Sequence, residues 1–343
     1  MKVLVTGGTG YVGGNAVLRL LADGHDVRIL ARRPIRVATT LGAVGVDIEQ
    51  LDVVQGDMTD RASVTRAVNG VDATIHAAAV VAALDRNEAA HALDVNVNGT
   101  KNVIGAALDA GCDPVVHVSS IAAVFSPSVP IITSDLPPVS DASNPYTRSK
   151  ALAEEYAREL QAQGAPVTIV YPGGVMGPPV GELCGDAAEG FGSVLRSGVY
   201  PLTSGGVNVI DARDLGAILS ATLQPGRGPR RYMAGGTLVS LPEMLAAFRQ
   251  ATGRRLVGIR TPGSLYRVGG AALDTLRRVV PFHTIFTAEA MQLLTLARDT
   301  DDSAVHDDLG VAYRPAAETI TDALRSLYAA GHITAKQAGA LAA

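Results

Sequence analysis

Tyr146 and Lys150 stand four residues apart in the run Tyr146-Thr147-Arg148-Ser149-Lys150. On a helix that spacing puts both side chains on one face. A phenol titrates near about 10 in water, and an adjacent ammonium favours the phenolate, each unit of lowering being worth about 1.4 kcal/mol. A tyrosine tuned in this way can exchange a proton with a carbinol oxygen. A serine pair, Ser119-Ser120, closes the run Val115–Val118. Ligands of open α/β sheets bind at strand C-termini, where a hydroxyl can hold a carbonyl oxygen while hydride arrives.

A second constellation lies at the start of the chain. The apolar run Val3-Leu4-Val5 leads into Thr6-Gly7-Gly8-Thr9-Gly10-Tyr11-Val12-Gly13, and a helical run, Asn15–Ala22, follows. A strand, a glycine turn and a helix N-terminus suit a dinucleotide pyrophosphate. Gly7 permits a sharp turn, Gly10 permits close approach of the backbone, and Gly13 permits the helix to pack on the strand. The unpaired N–H groups of the helix start then face the anion. The second strand, Asp26–Leu30, runs into Ala31-Arg32-Arg33-Pro34, with Arg36 beyond. A carboxylate at this strand end would read a ribose diol, whereas guanidinium groups suit a 2′-phosphate. The expected cofactor is therefore NADP(H), with NAD(H) as the alternative.

These groups need a frame. Strands are expected at Leu51–Gln55, Val71–His76, Val115–Ser119 and Val167–Tyr171, and helices at Arg61–Val68, Glu88–Ala110 and from Pro145 to about Gln163. Asp60 and Asn144 read as N-caps, with Pro145 at the first helical position. Repeated strand–helix units imply a doubly wound parallel sheet covered on both faces. Residues 175–208 read as loops with one helix near Glu189–Ser197, and Val207–Ile210 with a helix from Asp214 to Leu223 reads as a return to the sheet. Asp211 and Asp214 are expected to cap that helix. The expected division is a dinucleotide-binding domain over 1–174, rejoined by 207–234, and a smaller, mainly helical substrate lobe from 175–206 and 235–343.

The 343 residues are 47% hydrophobic and 18% charged, an ordinary globular balance, and the net charge of −4 argues against nucleic acid as a partner. Two cysteines, Cys112 and Cys184, are too few for a disulfide framework or a zinc site, and the histidines show no metal-ligand spacing. No apolar run approaches the roughly 18 residues needed to span a bilayer. A cytoplasmic protein without a signal peptide, a metal or a membrane span is the expectation.

With these motifs in order, the chain resembles an extended short-chain dehydrogenase/reductase of the NAD-dependent epimerase/dehydratase superfamily. Thr6–Gly13 matches the family's TGxxGxxG. Gly56-Asp57-Met58 matches the acidic turn that holds the adenine, and His76-Ala77-Ala78-Ala79 the small-residue turn after the fourth strand. Asn96–Thr100, Ser119-Ser120, Tyr146-x3-Lys150, Pro172-Gly173-Gly174-Val175 and the tail from Leu309-Gly310 to Arg314-Pro315 complete the resemblance. It implies a Rossmann-type fold, Tyr146 as general acid/base, Lys150 on the nicotinamide ribose and Ser120 on the substrate oxygen. It also implies cofactor contacts from Gly7, Thr9, Gly10, Tyr11, Val12, Gly13, Asp57, Met58, Ala77, Ala78, Ala79, Ser119 and Pro172–Val175. Arg32 and Arg33 resemble the dihydroflavonol and cinnamoyl-CoA reductase branch, where an arginine at this place reads NADP. Family members often form homodimers through the two helices corresponding to Glu88–Ala110 and Pro145–Gln163.

The expected function is NADP(H)-dependent reduction of a hydrophobic ketone or aldehyde, or oxidation of the alcohol. Val180, Leu183, Phe191, Leu195, Val199, Leu265 and Phe282 are the expected apolar pocket wall. Leu265–Phe282 reads as a lid or packing helix, with a membrane-surface helix as the alternative. One rival is a nucleotide-sugar epimerase or dehydratase, in which Arg196, Arg213 and Arg231 would serve a diphosphate. Another is a dinucleotide sensor without chemistry, a class in which the tyrosine or lysine is typically lost.

Overall fold

The computed structural model describes residues 1–80, 86–185, 187–276 and 287–342. Its centre is a seven-stranded, all-parallel sheet. In chain order the strands are Lys2–Thr6, Asp26–Ala31, Asp52–Gln55, Ala73–His76, Val115–Val118, Val167–Pro172 and Arg230–Ala234. In space they run third, second, first, fourth, fifth, sixth, seventh. The order reverses between the first and fourth strands, and a crevice beyond the C-terminal ends of strands at such a reversal is where open α/β sheets take ligands.

The unbroken apolar runs are explained by burial on both faces. Val3 and Val5 enter one core with Val17 and Leu20 of the helix Tyr11–Ala22 and with Leu215, Ile218 and Leu219 of the helix Ala212–Ala221. Leu4 points the other way, into a core with Val64, Val103, Ile104 and Ala157 from the helices Arg61–Val68, Arg86–Asp109 and Pro145–Ala162. A third core belongs to the C-terminal part. There Phe191, Leu195, Tyr200, Leu241, Met244, Phe248 and Leu324 pack together.

Several boundaries differ from expectation for physical reasons. The first helix begins at Tyr11 rather than Asn15. Gly13 and Gly14 are poor helix formers, but both are buried in the contact with the sheet, so packing overrides propensity. A short helix, Ile35–Thr40, follows the second strand where only a basic turn was read. The strand Gly206–Asp211 does not return to the main sheet. It lies in a three-stranded sheet between Gly174–Met176, parallel, and Thr237–Ser240, antiparallel. The return is made afterwards, by the helix Ala212–Ala221 and the strand Arg230–Ala234. Within the region read as loops, Val199–Leu202 pairs with Val257–Arg260. No helix among the described residues is long and apolar enough to cross a membrane.

Candidate active site at the sheet reversal

The glycine turn is built by close contacts that no side chain would survive. Gly7 has φ +77°, and a Cβ there would lie 2.7 Å from the backbone nitrogen of Ala78. A Cβ on Gly13 would lie 2.2 Å from the carbonyl oxygen of Gly7. The first helix is thus pressed onto the turn, and the turn onto the Ala77–Ala79 loop. The Gly10 amide donates to Gly7 O at 2.8 Å, and the first intrahelical bond runs from Gly14 N to Gly10 O. Gly10 is the N-cap and offers no side-chain acceptor. The amides of Tyr11, Val12 and Gly13 are therefore the orphan donors of a helix start. The Tyr11 phenol turns away and donates to Pro178 O at 3.1 Å, joining the turn to the segment after the sixth strand.

At the end of the second strand, Arg32, Arg33 and Arg36 are exposed, and their guanidinium groups make no ion pair or hydrogen bond with the described residues. After the third strand, Asp57 shapes its own turn, accepting from Thr59 N and Oγ1, each at 2.9 Å. Met58 is buried against Gly99 of the long helix. Asp60 caps the helix Arg61–Val68 through Ala62 N.

The loop after the fourth strand is pinned from behind. Asn96 accepts from Val80 N at 2.8 Å and donates to Val80 O at 2.9 Å and Ser149 Oγ at 2.9 Å. His76 is buried, with Nδ1 2.6 Å from Thr6 Oγ1 and Nε2 3.0 Å from Thr100 Oγ1. The Thr100 hydroxyl donates to Asn96 O at 2.6 Å, so it accepts from His76 Nε2–H, and Nδ1 accepts from Thr6. Burial pushes the His76 imidazole down to about 3, and it is neutral. It serves the frame and not the chemistry.

Tyr146 and Lys150 are set by the start of their helix. The Asn144 side chain accepts from Tyr146 N at 2.8 Å and Thr147 N at 3.3 Å, with Pro145 beside it. This holds Tyr146 in the first turn, half-buried, and Lys150 one turn deeper, buried. Lys150 Nζ donates to Val118 O at 2.8 Å, which ties the helix to the end of the fifth strand. Burial lowers the Lys150 ammonium from its ordinary value to about 8, with the Glu154 carboxylate opposing the shift. Two residues past Val118, Ser120 is half-buried and accepts from Ala122 N at 3.2 Å, at the start of a short 3₁₀ turn. Ser119 differs from its neighbour. It is buried, and its hydroxyl donates inward to Glu154 Oε2 at 2.8 Å, so only its backbone remains for a ligand. Glu154 is the residue that sequence reasoning missed, and the available signal was its place four residues after Lys150.

Across the crevice, Pro172–Val175 is held by backbone. Gly173 N donates to Ala234 O at 3.0 Å, and Gly174–Met176 pairs with Val209–Asp211. The apolar wall expected beyond it is not where the sequence placed it. Val180, Phe191 and Leu195 are packed into the cores, Phe191 edge-on to Phe248 at 4.8 Å. Val199 and Leu265 face outward, 37% and 60% exposed, and Phe282 lies outside the described residues. Leu183 alone of the described set is half-buried. The arginines considered for a diphosphate are engaged elsewhere. Arg196 donates to His332 O, Arg213 pairs with Asp211 and Asp322, and Arg231 donates to Gln161 and Ser134 O. Asp211 caps its helix through Arg213 N, while Asp214 instead accepts from Arg314 N and the Arg314 guanidinium, anchoring the C-terminal tail. Cys112 and Cys184 are buried free thiols.

Comparison with known proteins agrees with this geometry. The sequence model described as the NAD dependent epimerase/dehydratase family matches residues 3–200. The chain is 30% identical over 337 residues to "Sterol demethylase protein B" of Methylococcus capsulatus, covering 94% of this chain and 97% of that one. It is 27% identical over 346 residues to the "4-hydroxy-2-methyl-3-oxo-4-farnesyl-3,4-dihydroquinoline-1-oxide ketoreductase" of Stigmatella aurantiaca, covering 96% and 98%. Among solved structures, a UDP-glucose-4-epimerase from Stenotrophomonas maltophila with bound NAD superposes with a TM-score of 0.75 at 21% identity, over 96% of this chain and 99% of that one. That likeness is one of fold.

Proposed function

Because this chain belongs to the NAD-dependent epimerase/dehydratase family, as an extended short-chain dehydrogenase/reductase with an oxidoreductase's activity, we propose that it reduces a hydrophobic ketone or aldehyde with NADPH, or oxidises the corresponding alcohol. The observation that carries the reading is the seating of Tyr146 and Lys150. A capped helix start holds the phenol, and one turn deeper a buried ammonium is fixed to the end of the fifth strand.

The residues present fit a dinucleotide. A Cβ on Gly7 or Gly13 would fill the turn, and the helix start beside it has three free amides and no side-chain cap. Tyr11, Val12 and Gly13 would hold the pyrophosphate through their backbone, with Thr9 and Gly10 in the same turn. Asp57 and Met58 would flank the adenine, Ala77–Ala79 and the Ser119 backbone the middle of the molecule, and Pro172–Val175 the nicotinamide. Arg32 and Arg33, unpaired among the described residues, would receive a 2′-phosphate. The bound nicotinamide supplies hydride to the carbonyl carbon, or takes it from the carbinol. Ser120 would hold the substrate oxygen by hydrogen bond. Tyr146 would give that oxygen its proton on reduction and remove it on oxidation. Lys150 would hold the ribose and, by its charge, lower the cost of the phenolate.

Two observations favour an apolar substrate over a nucleotide sugar. Arg196, Arg213 and Arg231 are committed to internal partners. Two sequence relatives that align with nearly the whole chain carry names of a sterol and of a farnesylated ring. The test is NADPH oxidation against a panel of hydrophobic ketones and aldehydes, with uridine and thymidine diphosphate sugars as the contrast. Turnover of the carbonyls is the expected result. Conversion of a nucleotide sugar with no carbonyl reduction overturns the assignment.

A further inference from the structure

Glu154 belongs to none of the motifs that identify the site, yet it is fully buried beneath it. Helix Pro145–Ala162 carries Tyr146, Lys150, Glu154 and Arg158 at intervals of four, one stripe on one face. The Glu154 carboxylate accepts from Ser119 Oγ at 2.8 Å, from the Tyr171 hydroxyl at 2.9 Å and from the Arg158 guanidinium at 2.5 Å. Arg158 in turn donates to Tyr171 Oη and Ser134 O. Burial pushes the Glu154 carboxyl above its ordinary value, and Arg158, Ser119 and Tyr171 oppose that shift. An ionised carboxylate is acceptor-only, and the three donors that converge on this one favour the anion. Lys150 and Glu154 thus grip consecutive residues of the fifth strand's end. The ammonium holds the carbonyl of Val118, and the carboxylate holds the hydroxyl of Ser119.

Resting on the reading of Lys150 given above, we propose that Glu154 is a positioning residue that fixes the strand end carrying Ser120 and keeps the Lys150 ammonium charged at neutral pH. The groups around Lys150 leave the role to it alone. His76 and His117 are buried and neutral, each held below the usual imidazole value by burial and by the Lys150 charge, so neither supplies a charge that would hold the ammonium. The Tyr171 phenol is held protonated by burial. Arg158 is cationic and lies one turn further along the helix, so the nearer carboxylate dominates the field at Nζ. Burial lowers Lys150 to about 8 even with Glu154 opposing it. Without that charge the amine would give up its proton at a lower pH, and once neutral it would neither tune the phenol nor hold the ribose as a cation.

The experiment is the dissociation constant of NADPH by fluorescence titration, from about pH 6 to about pH 10, with a thermal melt of each variant. Affinity of the unmodified protein should fall as pH rises through about 8. In Glu154→Gln the fall should move at least one unit lower, about a tenfold change in proton affinity. Glu154→Asp, which keeps the charge, should leave the fall near its original place. Glu154→Ala, which also removes the charge, should move it downward as well, and it decides the matter if Glu154→Gln does not fold. A purely structural Glu154 would lower affinity or melting temperature without moving the fall. An unmodified protein that binds NADPH with no fall near 8 refutes the reading of Lys150. A fall that neither Glu154→Gln nor Glu154→Ala moves refutes the role of Glu154 alone.

Discussion

Gly13→Ala is the sharpest perturbation of the cofactor cradle, because its effect follows from one distance. The added methyl would stand 2.2 Å from the carbonyl oxygen of Gly7, whereas ordinary contact begins at 3.4 Å. The obstacle is backbone, so no rotamer relieves it, and the helix start must retreat by about 1 Å. Overpacking of this kind costs about 1–3 kcal/mol, against a gain of about 0.5–1 kcal/mol from replacing a helical glycine. The net loss of stability should therefore be small, on the order of 1 kcal/mol. Binding should suffer more, since the retreat carries the amides of Tyr11, Val12 and Gly13 away from the phosphates together. A loss of at least about 1.4 kcal/mol, or tenfold in affinity, is expected. Gly14→Ala is the control on the same helix, because its methyl meets a side-chain methyl of Val180 at 3.0 Å and reaches backbone, Gly8 O, only at 3.6 Å. NADPH fluorescence titration beside urea denaturation separates the two quantities. Equal affinities for Gly13→Ala and Gly14→Ala would refute the reasoning.

Tyr146→Phe should abolish turnover of any carbonyl found active while leaving NADPH affinity within about twofold, since the ring still packs and only the proton carrier is lost; retained turnover would disprove its role. Arg32→Ala should narrow the preference for NADPH over NADH by roughly 10- to 100-fold, the worth of one charge-assisted bond, and equal affinities in the unmodified protein would remove the basis of the NADP assignment. His117 is buried with neither ring nitrogen hydrogen-bonded to the described residues, and burial holds it well below the usual imidazole value. The unfolded chain binds that proton first, so the apo protein should lose stability as pH falls below about 6.5. His117→Leu should flatten that acid limb in a urea-denaturation series, and an unchanged limb would mean the group is solvated.

The glycine turn, the two caps Asp60 and Asn144 and the Tyr–Lys spacing were legible because each is a local device, complete within a few residues. The inner strands were legible for a related reason, since burial on both faces writes short apolar runs rich in β-branched residues, such as Val115–Val118 and Val167–Pro172. What the sequence hid depends on partners far away in the chain. Gly206–Asp211 is as apolar as a main-sheet strand, and only its pairing with Gly174–Met176 and Thr237–Ser240 shows otherwise. Ser119 and Ser120 are the same residue type side by side. Their different partners, Glu154 Oε2 for Ser119 and Ala122 N for Ser120, are set by a helix about 35 positions on and by the short 3₁₀ turn that follows. Phe191 and Leu195 are apolar in either reading, and the choice between wall and core was made by Phe248. Asp214 is another such case, its partner Arg314 being 100 residues away.

The late return of Arg230–Ala234 to the main sheet has a consequence for biosynthesis. Among the described residues this strand alone pairs with the outer edge of Val167–Pro172, a six-residue run buried along its whole length. A ribosome delivers the sixth strand long before the seventh, because two strands of the three-stranded sheet, Gly174–Met176 and Gly206–Asp211, and the helix Ala212–Ala221 must be translated in between. During that interval the nascent chain presents an apolar edge with unpaired amides and carbonyls, the geometry that templates intermolecular pairing. The strand cannot be supplied by neighbouring sequence, so contact order sets the delay. Chains truncated between residues 175 and 229 should therefore aggregate or recruit chaperones during synthesis, while chains that extend past the seventh strand close the edge and escape.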